Sequence, residues 1–400
     1  MLKYNSISNI IKLNETGENM MEFKCDKESL LQGVQGVERI VSTRSTLPII
    51  GNILLEAGKS KLKISANNLE IGMEVFVRAK VDEDGAVLVP AKVFSGIVSK
   101  LPDTEITIKT VEKGIVKISY KQSNFNINGL SPDEFPSMPK IKDGKSFSIN
   151  AEMFSEMIEQ TVFSVSMSED KYVLSGVLME YGKSHTSGDA SNLRMVSTDG
   201  YRLSKRSSKT AAAINFESSV IVPAKALAEV GRVIQADPSG EVEITQGTDH
   251  VAFKYKDTLI VSRLIQGQFP DYKQVIPKGS EIKITMNNKT FLSAIERAAV
   301  IAASSANIIK LEVQGGKIHV IANAPDVGNV NEIIEAEIKG GERALVAFNV
   351  RLIIDALKVM KEEKIVLELS GPLSPGLMRP VGGEEYVYII MPIRVAETST

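Results

Sequence analysis

Residues 87–108 read VLVPAKVFSGIVSKLPDTEITI, and a near copy of this phrase, VIVPAKALAEVGRVIQADPSGEVEI, begins at Val220. Each copy starts with an apolar stretch closed by proline, continues with apolar residues at helical spacing, and ends on an alternating stretch. This order predicts a strand, a helix and a second strand. A third version, ALVAFNVRLIIDALKVMKEEKIVLELSG, begins at Ala344 and lacks the Pro-Ala pair. A unit that recurs along a chain determines its architecture, so the first hypothesis is one domain used three times.

Two further patterns precede each copy of the phrase, always in the same order. The first is a helical opener that begins at Asp26, Asn150 or Asn287, residues that cap helix N-termini well. The second is a short apolar strand followed by a hairpin with a polar tip. The three tips, whose residue types favour tight turns, are Asn67-Asn68, Asp199-Gly200 and Pro325-Asp326.

The repeat predicts the fold class and the domain boundaries. Each unit has two amphipathic helices and about eight short strands, which is an α+β domain with its helices packed on antiparallel sheets. The prolines of Phe135-Pro136 and Phe269-Pro270 follow strands and therefore begin connectors. We expect linkers near 139–146 and 277–282. The expected domains cover residues 21–142, 146–278 and 280–395.

The two ends of the chain differ from the domains. Residues 1–20 are rich in Asn, Ser and Ile and lack the long apolar core of a signal peptide. We interpret them as a disordered extension, or as translation begun upstream of the true start. Residues 396–400 form a short tail.

Composition narrows the class of protein. The only cysteine, Cys25, excludes an internal disulfide and fits the reducing cytoplasm. Three scattered histidines make a metal site of Cys and His improbable, and we expect no cofactor. Because no apolar run approaches the ~18 residues of a membrane span, we expect no membrane partner. The net charge of −2 excludes a strongly basic coat for nucleic acid but not a local basic surface.

Basic residues concentrate on the second helix of each unit, although the chain as a whole is acidic. The segments 89–101, 222–236 and 348–364 each carry more Lys and Arg than Asp and Glu. Such lysines are often ordinary solvated residues, but three equivalent helices share the sign. If the domains are arranged in an arc with these helices on one side, that side is a positive surface without aromatic interleaving, which favours phosphate contact without sequence reading. The candidates are Lys92, Lys100, Lys225, Arg232, Arg351 and Lys358.

No enzyme motif is present in the sequence. The chain lacks the phosphate loop G-x-x-x-x-G-K-[ST] and the nucleophile elbow G-x-S-x-G. Asp199 lies near Ser197 and Thr198, but no local His or Lys completes a catalytic set. A turn tip is the better interpretation, and we expect a protein that is not an enzyme.

Four stretches occur in an order and spacing that resemble a known family. They are TRSTLPIIGNILLE at 43–56, STDGYRLS at 197–204, FPDYKQVIP at 269–277 and YIIMPIRV at 388–395. From about Met21 to Val395 the chain resembles the bacterial sliding clamps, the beta subunits of DNA polymerase III holoenzyme. The resemblance implies three similar domains per chain and two chains closed head to tail into a ring of six domains. Helices would line the hole, duplex DNA would pass through it, and the ring would act as a processivity factor without an active site.

The resemblance also implies a pocket for short peptides on the last domain and its junction with the middle one. Apolar residues would form the groove, and Arg and Asn would orient the peptide at its rim. Tyr201 stands where histidine is frequent in the family and Gln274 where a basic residue is common, so peptide preference is expected to differ. The matching residues are Leu174, Thr198, Gly200, Tyr201, Arg202, Leu203, Pro270, Gln274, Val275, Asn323, Ile389, Met391, Pro392, Ile393 and Arg394.

Two further sets of residues follow from the resemblance. Arg44, Lys171 and Tyr172 match loop positions that touch duplex DNA. Phe125 and Ile127 of one chain would meet the first helix of domain three of the other chain. On that helix the expected contacts are Phe291, Leu292 and Ile295. The same five apolar residues are equally compatible with a plain core.

The implied partners are duplex DNA held without sequence specificity, the replicative DNA polymerase subunit, the clamp loader, other proteins of replication and repair that carry the clamp-binding motif, and a second copy of the chain. Two alternatives remain open at this point. One is a three-domain interaction scaffold that never encloses DNA, which predicts a monomer or an acidic face throughout. The other is a clamp paralogue with altered partners, for which Tyr201 and Gln274 are weak grounds.

Overall fold

A computed structural model describes residues 20–41, 47–141, 143–183, 191–210, 214–341 and 343–394. Except for Met20, the expected N-terminal extension lies outside these residues, as do Val395 and the tail 396–400. The described part folds into two compact units. Unit 1 contains the chain up to Ser148 together with Val233–Arg263, and unit 2 contains Ile149–Arg232 and the chain from Leu264 onward.

Six α-helices occur in the described residues, two for each predicted repeat. The caps expected for the openers are present: side-chain oxygens of Asp26, Asn150 and Asn287 accept hydrogen bonds from backbone N–H groups three residues on, at 2.8, 2.9 and 3.0 Å. Each cap satisfies one of the donors that a helix start leaves without a partner. The helices are α1 (Lys27–Glu38), α2 (Ala91–Lys100), α3 (Ala151–Val162), α4 (Ala224–Ala236), α5 (Asn288–Ala302) and α6 (Val350–Val359).

The strands follow the same threefold order. The first repeat contains β1 (Glu22–Asp26), β2 (Asn52–Gly58), β3 (Lys61–Asn67), β4 (Ile71–Arg78), β5 (Lys80–Glu83), β6 (Gly85–Pro90), β7 (Glu105–Val111), β8 (Ile115–Tyr120) and β9 (Ser123–Asn128). The second contains β10 (Lys145–Asn150), β11 (Gly176–Lys183), β12 (Ser191–Thr198), β13 (Arg202–Lys209), β14 (Ser218–Pro223), β15 (Glu241–Gln246), β16 (His250–Tyr255) and β17 (Thr258–Arg263). The third contains β18 (Ile282–Asn287), β19 (Ile308–Gln314), β20 (Lys317–Ala324), β21 (Gly328–Glu335), β22 (Glu337–Gly340), β23 (Arg343–Asn349), β24 (Lys364–Leu369), β25 (Gly376–Pro380) and β26 (Tyr386–Ile390).

The sheets explain why three repeats form two units. In unit 1, β17 of the second repeat pairs with β4 of the first, within an eight-stranded sheet of order β10-β15-β16-β17-β4-β3-β2-β6. In unit 2, β26 of the third repeat pairs with β13 of the second, within a nine-stranded sheet of order β14-β11-β12-β13-β26-β25-β24-β18-β22. Hydrogen bonds between strands thus cross both repeat boundaries.

Each of the four sheets in the described chain ends on two edge strands, and two of these, β9 and β21, correspond to strands that pair across a repeat boundary elsewhere in the chain. β9 ends the five-stranded sheet β5-β1-β7-β8-β9 of unit 1, and β21 ends the four-stranded sheet β21-β20-β19-β23 of unit 2. β9 occupies the place in its repeat that β17 and β26 occupy in theirs, and β21 occupies the place of β4 and β13. An exposed edge presents unpaired backbone N–H and C=O groups to another chain.

Candidate functional site

The predicted pocket residues meet around the β13–β26 pair of unit 2. Leu203 lies directly opposite Ile389 in this antiparallel pair, and both side chains are almost fully buried. They belong to one apolar cluster, whose buried members are Leu178, Val196, Leu203, Ile221, Ile265, Tyr272, Leu377, Val387 and Ile389. Because the cluster takes residues from the second and third repeats, it forms only where those repeats join.

The turn between β12 and β13 presents Tyr201 beside this cluster. One carboxylate oxygen of Asp199 accepts hydrogen bonds from the backbone N–H groups of Tyr201 and Arg202, at 2.8 and 3.0 Å. Gly200 adopts φ +93°, a backbone conformation that residues with a Cβ atom disfavour. The hydroxyl of Thr198 donates to the carbonyl of Arg202 at 2.6 Å and accepts from the N–H of Gly200 at 3.1 Å. The turn is therefore fixed by its own side chains, and the Tyr201 ring is 66% exposed.

Arg202 corrects one expectation, because its side chain points inward rather than to the pocket rim. Its guanidinium donates to Asp199 at 2.9 Å, to Asp355 of α6 at 2.7 Å and to the backbone carbonyl of Phe163 at 2.6 Å. The group also lies over the Phe163 ring, 5.3 Å from its centroid, and the side chain is only 10% exposed. Arg202 thus joins the turn to α3 and α6, and little of its side chain remains accessible to a peptide.

Buried Tyr272 anchors the loop that contains Pro270, Gln274 and Val275. The buried phenol hydroxyl of Tyr272 donates to Glu180 at 2.7 Å. Burial, together with this hydrogen bond, raises the pKa of Tyr272 to about 12, so the phenol stays neutral and keeps its donor. Gln274 donates to Asp271 at 2.9 Å, while Pro270 and Val275 are exposed.

The terminal segment forms another wall of the site. The N–H of Met391 donates to the carbonyl of Tyr201 at 2.9 Å, and the N–H of Ile393 donates to the carbonyl of Ala347 at 2.8 Å. Met391 and Arg394 are exposed, and Pro392 and Ile393 are half-buried. A buried apolar floor with an open, partly apolar rim suits a short peptide with apolar anchors.

Two other predicted pocket residues are less closely tied to this arrangement. Leu174 is half-buried, and its carbonyl accepts the N–H of Ser166 at 2.8 Å. Asn323 is exposed on β20, and β19 lies between that strand and β23, which binds the terminal segment.

The six predicted DNA-binding residues of the second helices are all exposed. Arg232 forms an ion pair with Glu229, and Lys358 pairs with Glu296 at 3.1 Å. Among the described residues, the other four have no carboxylate within ion-pair distance: Lys92, Lys100, Lys225 and Arg351. Unpaired, solvated cations are suited to phosphate contact.

The three predicted loop contacts to DNA have different outcomes. Arg44 lies outside the described residues. Tyr172 is well exposed. Lys171 is directed to the pocket turn, where its ammonium group donates to the carbonyl of Asp199 at 3.1 Å and lies 5.4 Å from the centroid of the Tyr201 ring.

The predicted self-association residues are only partly available. Phe125 on the edge strand β9 is exposed and Ile127 is half-buried. Phe125 borders a groove of about 350 Å³ whose other lining residues are Lys92, Val93, Gly96, Ile97, Lys100, Leu101 and Tyr120. An apolar groove beside a free strand edge is typical of a surface that another chain covers.

On α5 the structure corrects the expectation for two residues. Phe291 and Ile295 are fully buried in the core of the third repeat, so no second chain can reach them. Only Leu292 of the predicted set is partly exposed. Their apolar spacing belonged to the inner face of the helix, which packs on β20 and β21.

The apolar residue that α5 does expose is Val300, which sequence analysis missed. It is 72% exposed, and it lies thirteen residues after the cap Asn287, as Phe163 lies thirteen residues after the cap Asn150. Phe163 stacks on Tyr388 across the junction of the second and third repeats, with ring centroids 5.9 Å apart. Counting from the two caps would have identified Val300 as the residue of the third repeat that corresponds to Phe163.

The described ranges lack the features of two other classes of site. None of the helices there is long and apolar enough to cross a lipid bilayer. Within the same ranges, no three side chains of His, Cys, Asp or Glu are grouped so that they could hold a metal ion.

Comparison with known proteins covers nearly the whole chain. The family models for the N-terminal, central and C-terminal domains of the DNA polymerase III beta subunit match residues 21–139, 148–271 and 273–394. The beta sliding clamp of Bacillus subtilis is 32% identical over 384 residues, which is 94% of this chain and 100% of that protein. The crystal structure of the Bacillus subtilis clamp is similar with a TM-score of 0.88 at 31% identity, and it covers 95% of this chain and 100% of its own. A sliding clamp from Pseudomonas aeruginosa bound to griselimycin is similar with a TM-score of 0.86 at 28% identity, and it covers 94% and 100%.

Proposed function

Because the chain belongs to the DNA polymerase III beta subunit family, we propose that it acts as a sliding clamp, a processivity factor that encircles duplex DNA and tethers the replicative polymerase to it. We propose three clamp domains at 21–142, 146–278 and 280–395, and the ranges that the family models match support this division. The clamp catalyses no reaction of its own. It works in the cytoplasm, where the DNA and its other partners are.

The observation that carries this proposal is the pair of free edges at β9 and β21. The two junctions inside the chain follow one pattern. The backbone N–H of Arg263 donates to the carbonyl of Glu70 at the end of the β17–β4 pair, and the backbone N–H of Met391 donates to the carbonyl of Tyr201 at the end of the β26–β13 pair, both at 2.9 Å. A third junction of the same kind requires β9 and β21, which lie in different sheets of the chain. Two copies arranged head to tail would pair β21 of each with β9 of the other, and this closes a ring.

The internal junctions also specify the register of that pairing. The backbone N–H of Leu130, just after β9, donates to the carbonyl of Leu88 in β6 at 2.9 Å. In the same way the backbone N–H of Ile393, just after β26, donates to the carbonyl of Ala347 in β23 at 2.8 Å. Leu130 therefore corresponds to Ile393, and β9 aligns with β26. Phe125 lies five residues before Leu130, and Tyr388 lies five residues before Ile393, so Phe125 corresponds to Tyr388. For the opposing strand, Glu332 of β21 forms an ion pair with α5, and Arg206 of β13 forms an ion pair with α3. Glu332 therefore corresponds to Arg206, and β21 aligns with β13.

This alignment assigns the facing residues between copies. Within the chain, Ser204 is opposite Tyr388 and Lys205 is opposite Val387. By correspondence, Val330 of one copy would lie opposite Phe125 of the other, and Asn331 would lie opposite Asn124. Directly opposed residues in antiparallel strands have Cα atoms about 4.5–5.5 Å apart, within the range that a disulfide can bridge.

We therefore expect the double variant Asn124→Cys with Asn331→Cys to form covalent dimers under mild oxidation, read on a non-reducing gel. Each dimer can carry two such bonds, one at each junction. The matched control is Asn126→Cys with Asn331→Cys, which changes residues of the same type in a register shifted by two. Its diagonal separation is about 7–8 Å, so cross-linking should be much slower. Equal cross-linking of both pairs would contradict the register.

Partners would bind at the apolar groove around the β13–β26 pair. Its buried floor and exposed rim residues favour a short flexible peptide, and the adaptable Met391 suits several sequences. We propose that the replicative polymerase subunit, the clamp loader and other clamp-motif proteins of replication and repair share this groove. The exposed cations of α2, α4 and α6 would contact the DNA phosphates without reading sequence.

Retention on circular DNA tests the function. The protein is loaded by a clamp loader onto nicked circular DNA, separated from free protein at moderate salt, and followed after the circle is cut. We expect it to remain on circles and to leave linear DNA from the ends, since the hold is topological rather than electrostatic. Equal loss from both forms after demonstrated loading would contradict the sliding clamp and favour an interaction scaffold.

A further inference from the structure

Lys171 lies at the pocket mouth in a geometry that sequence analysis did not anticipate. Its backbone (φ −112°, ψ 48°) interrupts the 3-10 segment Glu169–Ser175. At this break the side chain reaches the β12–β13 turn. There the ammonium group donates to the carbonyl of Asp199 at 3.1 Å and lies 5.4 Å from the Tyr201 ring centroid.

Tyr201 is constrained in two ways, by the turn and by Lys171. The backbone N–H of Tyr201 donates to the Asp199 carboxylate, and the backbone carbonyl of Tyr201 accepts a hydrogen bond from the N–H of Met391. These two hydrogen bonds fix the Tyr201 backbone. The exposed ring has a cation over one face, and this attraction favours one ring position. An otherwise mobile tyrosine is thereby held beside Met391 before any ligand arrives.

We propose that Lys171 is a positioning residue of the partner pocket, and that the Lys171–Tyr201 pair is a specificity determinant of this chain. The lysine holds Tyr201 as a fixed aromatic wall next to the terminal segment, so the wall need not be ordered when a peptide binds. This inference rests on the proposed function, since it assumes that the groove binds partner peptides. It assigns Lys171 to the pocket rather than to the DNA contact that the resemblance implied.

Binding of griselimycin, measured by titration calorimetry on the full chain, tests the pair in a double-mutant cycle. Lys171→Met keeps the aliphatic stem and removes the cation. We expect it to weaken binding about fivefold, because one rotamer-rich side chain must then be immobilised on binding. Lys171→Arg should restore the parent affinity. In a Tyr201→Leu background, Lys171→Met should cause no further loss.

Each other outcome has a definite meaning. Parent affinity in Lys171→Met, or the same loss in both backgrounds, overturns the inference, because the lysine then does not act through Tyr201. Reduced salt resistance of DNA retention in Lys171→Met with unchanged griselimycin binding also overturns it and makes Lys171 a DNA contact. Griselimycin binding to the Val275→Glu variant shows whether griselimycin occupies this pocket, and we expect this binding to be weakened. If this rim substitution leaves griselimycin binding unchanged, the pocket assignment is wrong and the inference fails with it, while the DNA-retention test of the clamp function still stands independently.

Discussion

Val300→Arg is expected to convert the dimer into a monomer. Val300 corresponds to Phe163, which stacks on Tyr388 at the internal junction, and Tyr388 corresponds to Phe125. In a head-to-tail dimer, Val300 would therefore face Phe125 of the other copy and the groove beside it. Lys92 and Lys100 line that groove. An arginine there would be desolvated next to like charges, and an uncompensated buried charge costs about 3–5 kcal/mol. Self-affinity should fall by at least about a hundredfold.

Light scattering after gel filtration, repeated over a range of protein concentrations, measures this effect. The matched control is Leu373→Arg, which places the same side chain at another exposed apolar position of unit 2. Leu373 lies in the turn before β25, which belongs to a different sheet from β21, so this variant should remain dimeric. A Val300→Arg protein that stays dimeric at submicromolar concentration would show that α5 does not contribute to the interface.

Arg202→Met is expected to lower the free energy of unfolding of unit 2 by about 3 kcal/mol, since breaking a buried ion pair by removing one partner costs about 3–5 kcal/mol. Three groups lose their donor at once: Asp199, Asp355 and the carbonyl of Phe163. Asp199, whose side chain is only 18% exposed, would keep its cost of desolvation, whereas Asp355, which is 44% exposed, can be hydrated, so the loss stays at the low end of this range. Arg202→Lys should recover little of the loss, because a single ammonium group cannot reproduce a planar fork that serves three acceptors.

Urea denaturation followed by circular dichroism measures the change as a shift of the transition midpoint. Arg232→Met is the matched control. Arg232 also pairs with a carboxylate, but its side chain is half exposed, and exposed pairs contribute about 0–1 kcal/mol. Similar stability losses in the two variants would indicate that the inward geometry of Arg202 adds nothing to the fold.

The local features were predictable from the sequence because they depend on neighbouring residues. Capping by Asp26, Asn150 and Asn287 requires only a side-chain oxygen and an N–H three residues away. The hairpin tips follow from turn-forming residues at fixed places, and the helices follow from apolar spacing. The repeated order of these features then determined a threefold α+β chain, and the resemblance of its motifs indicated the family.

Expectations failed where a side chain had two possible environments. The apolar spacing of Phe291 and Ile295 is the same whether their helix face meets its own sheet or another chain, and the structure places them in the core. Arg202 and Lys171 are long cations in polar stretches, so either could extend into solvent. Arg202 instead binds Asp355, 153 residues away in sequence, and Lys171 binds the Asp199 turn.

The sequence by itself determined the repeat, its helices, its turns and the positions that can carry charge or apolar surface, because these depend on contacts within a few residues. Only the tertiary structure decided which of those positions are free. Strand pairing across the repeat boundaries uses β4, β13, β17 and β26 and leaves β9 and β21 at edges. Packing of α5 on β20 and β21 buries Phe291, while Val300 stays exposed on the same helix. The physical reason is that burial and hydrogen-bond satisfaction depend on which distant segments meet, and spacing along the chain does not contain that information.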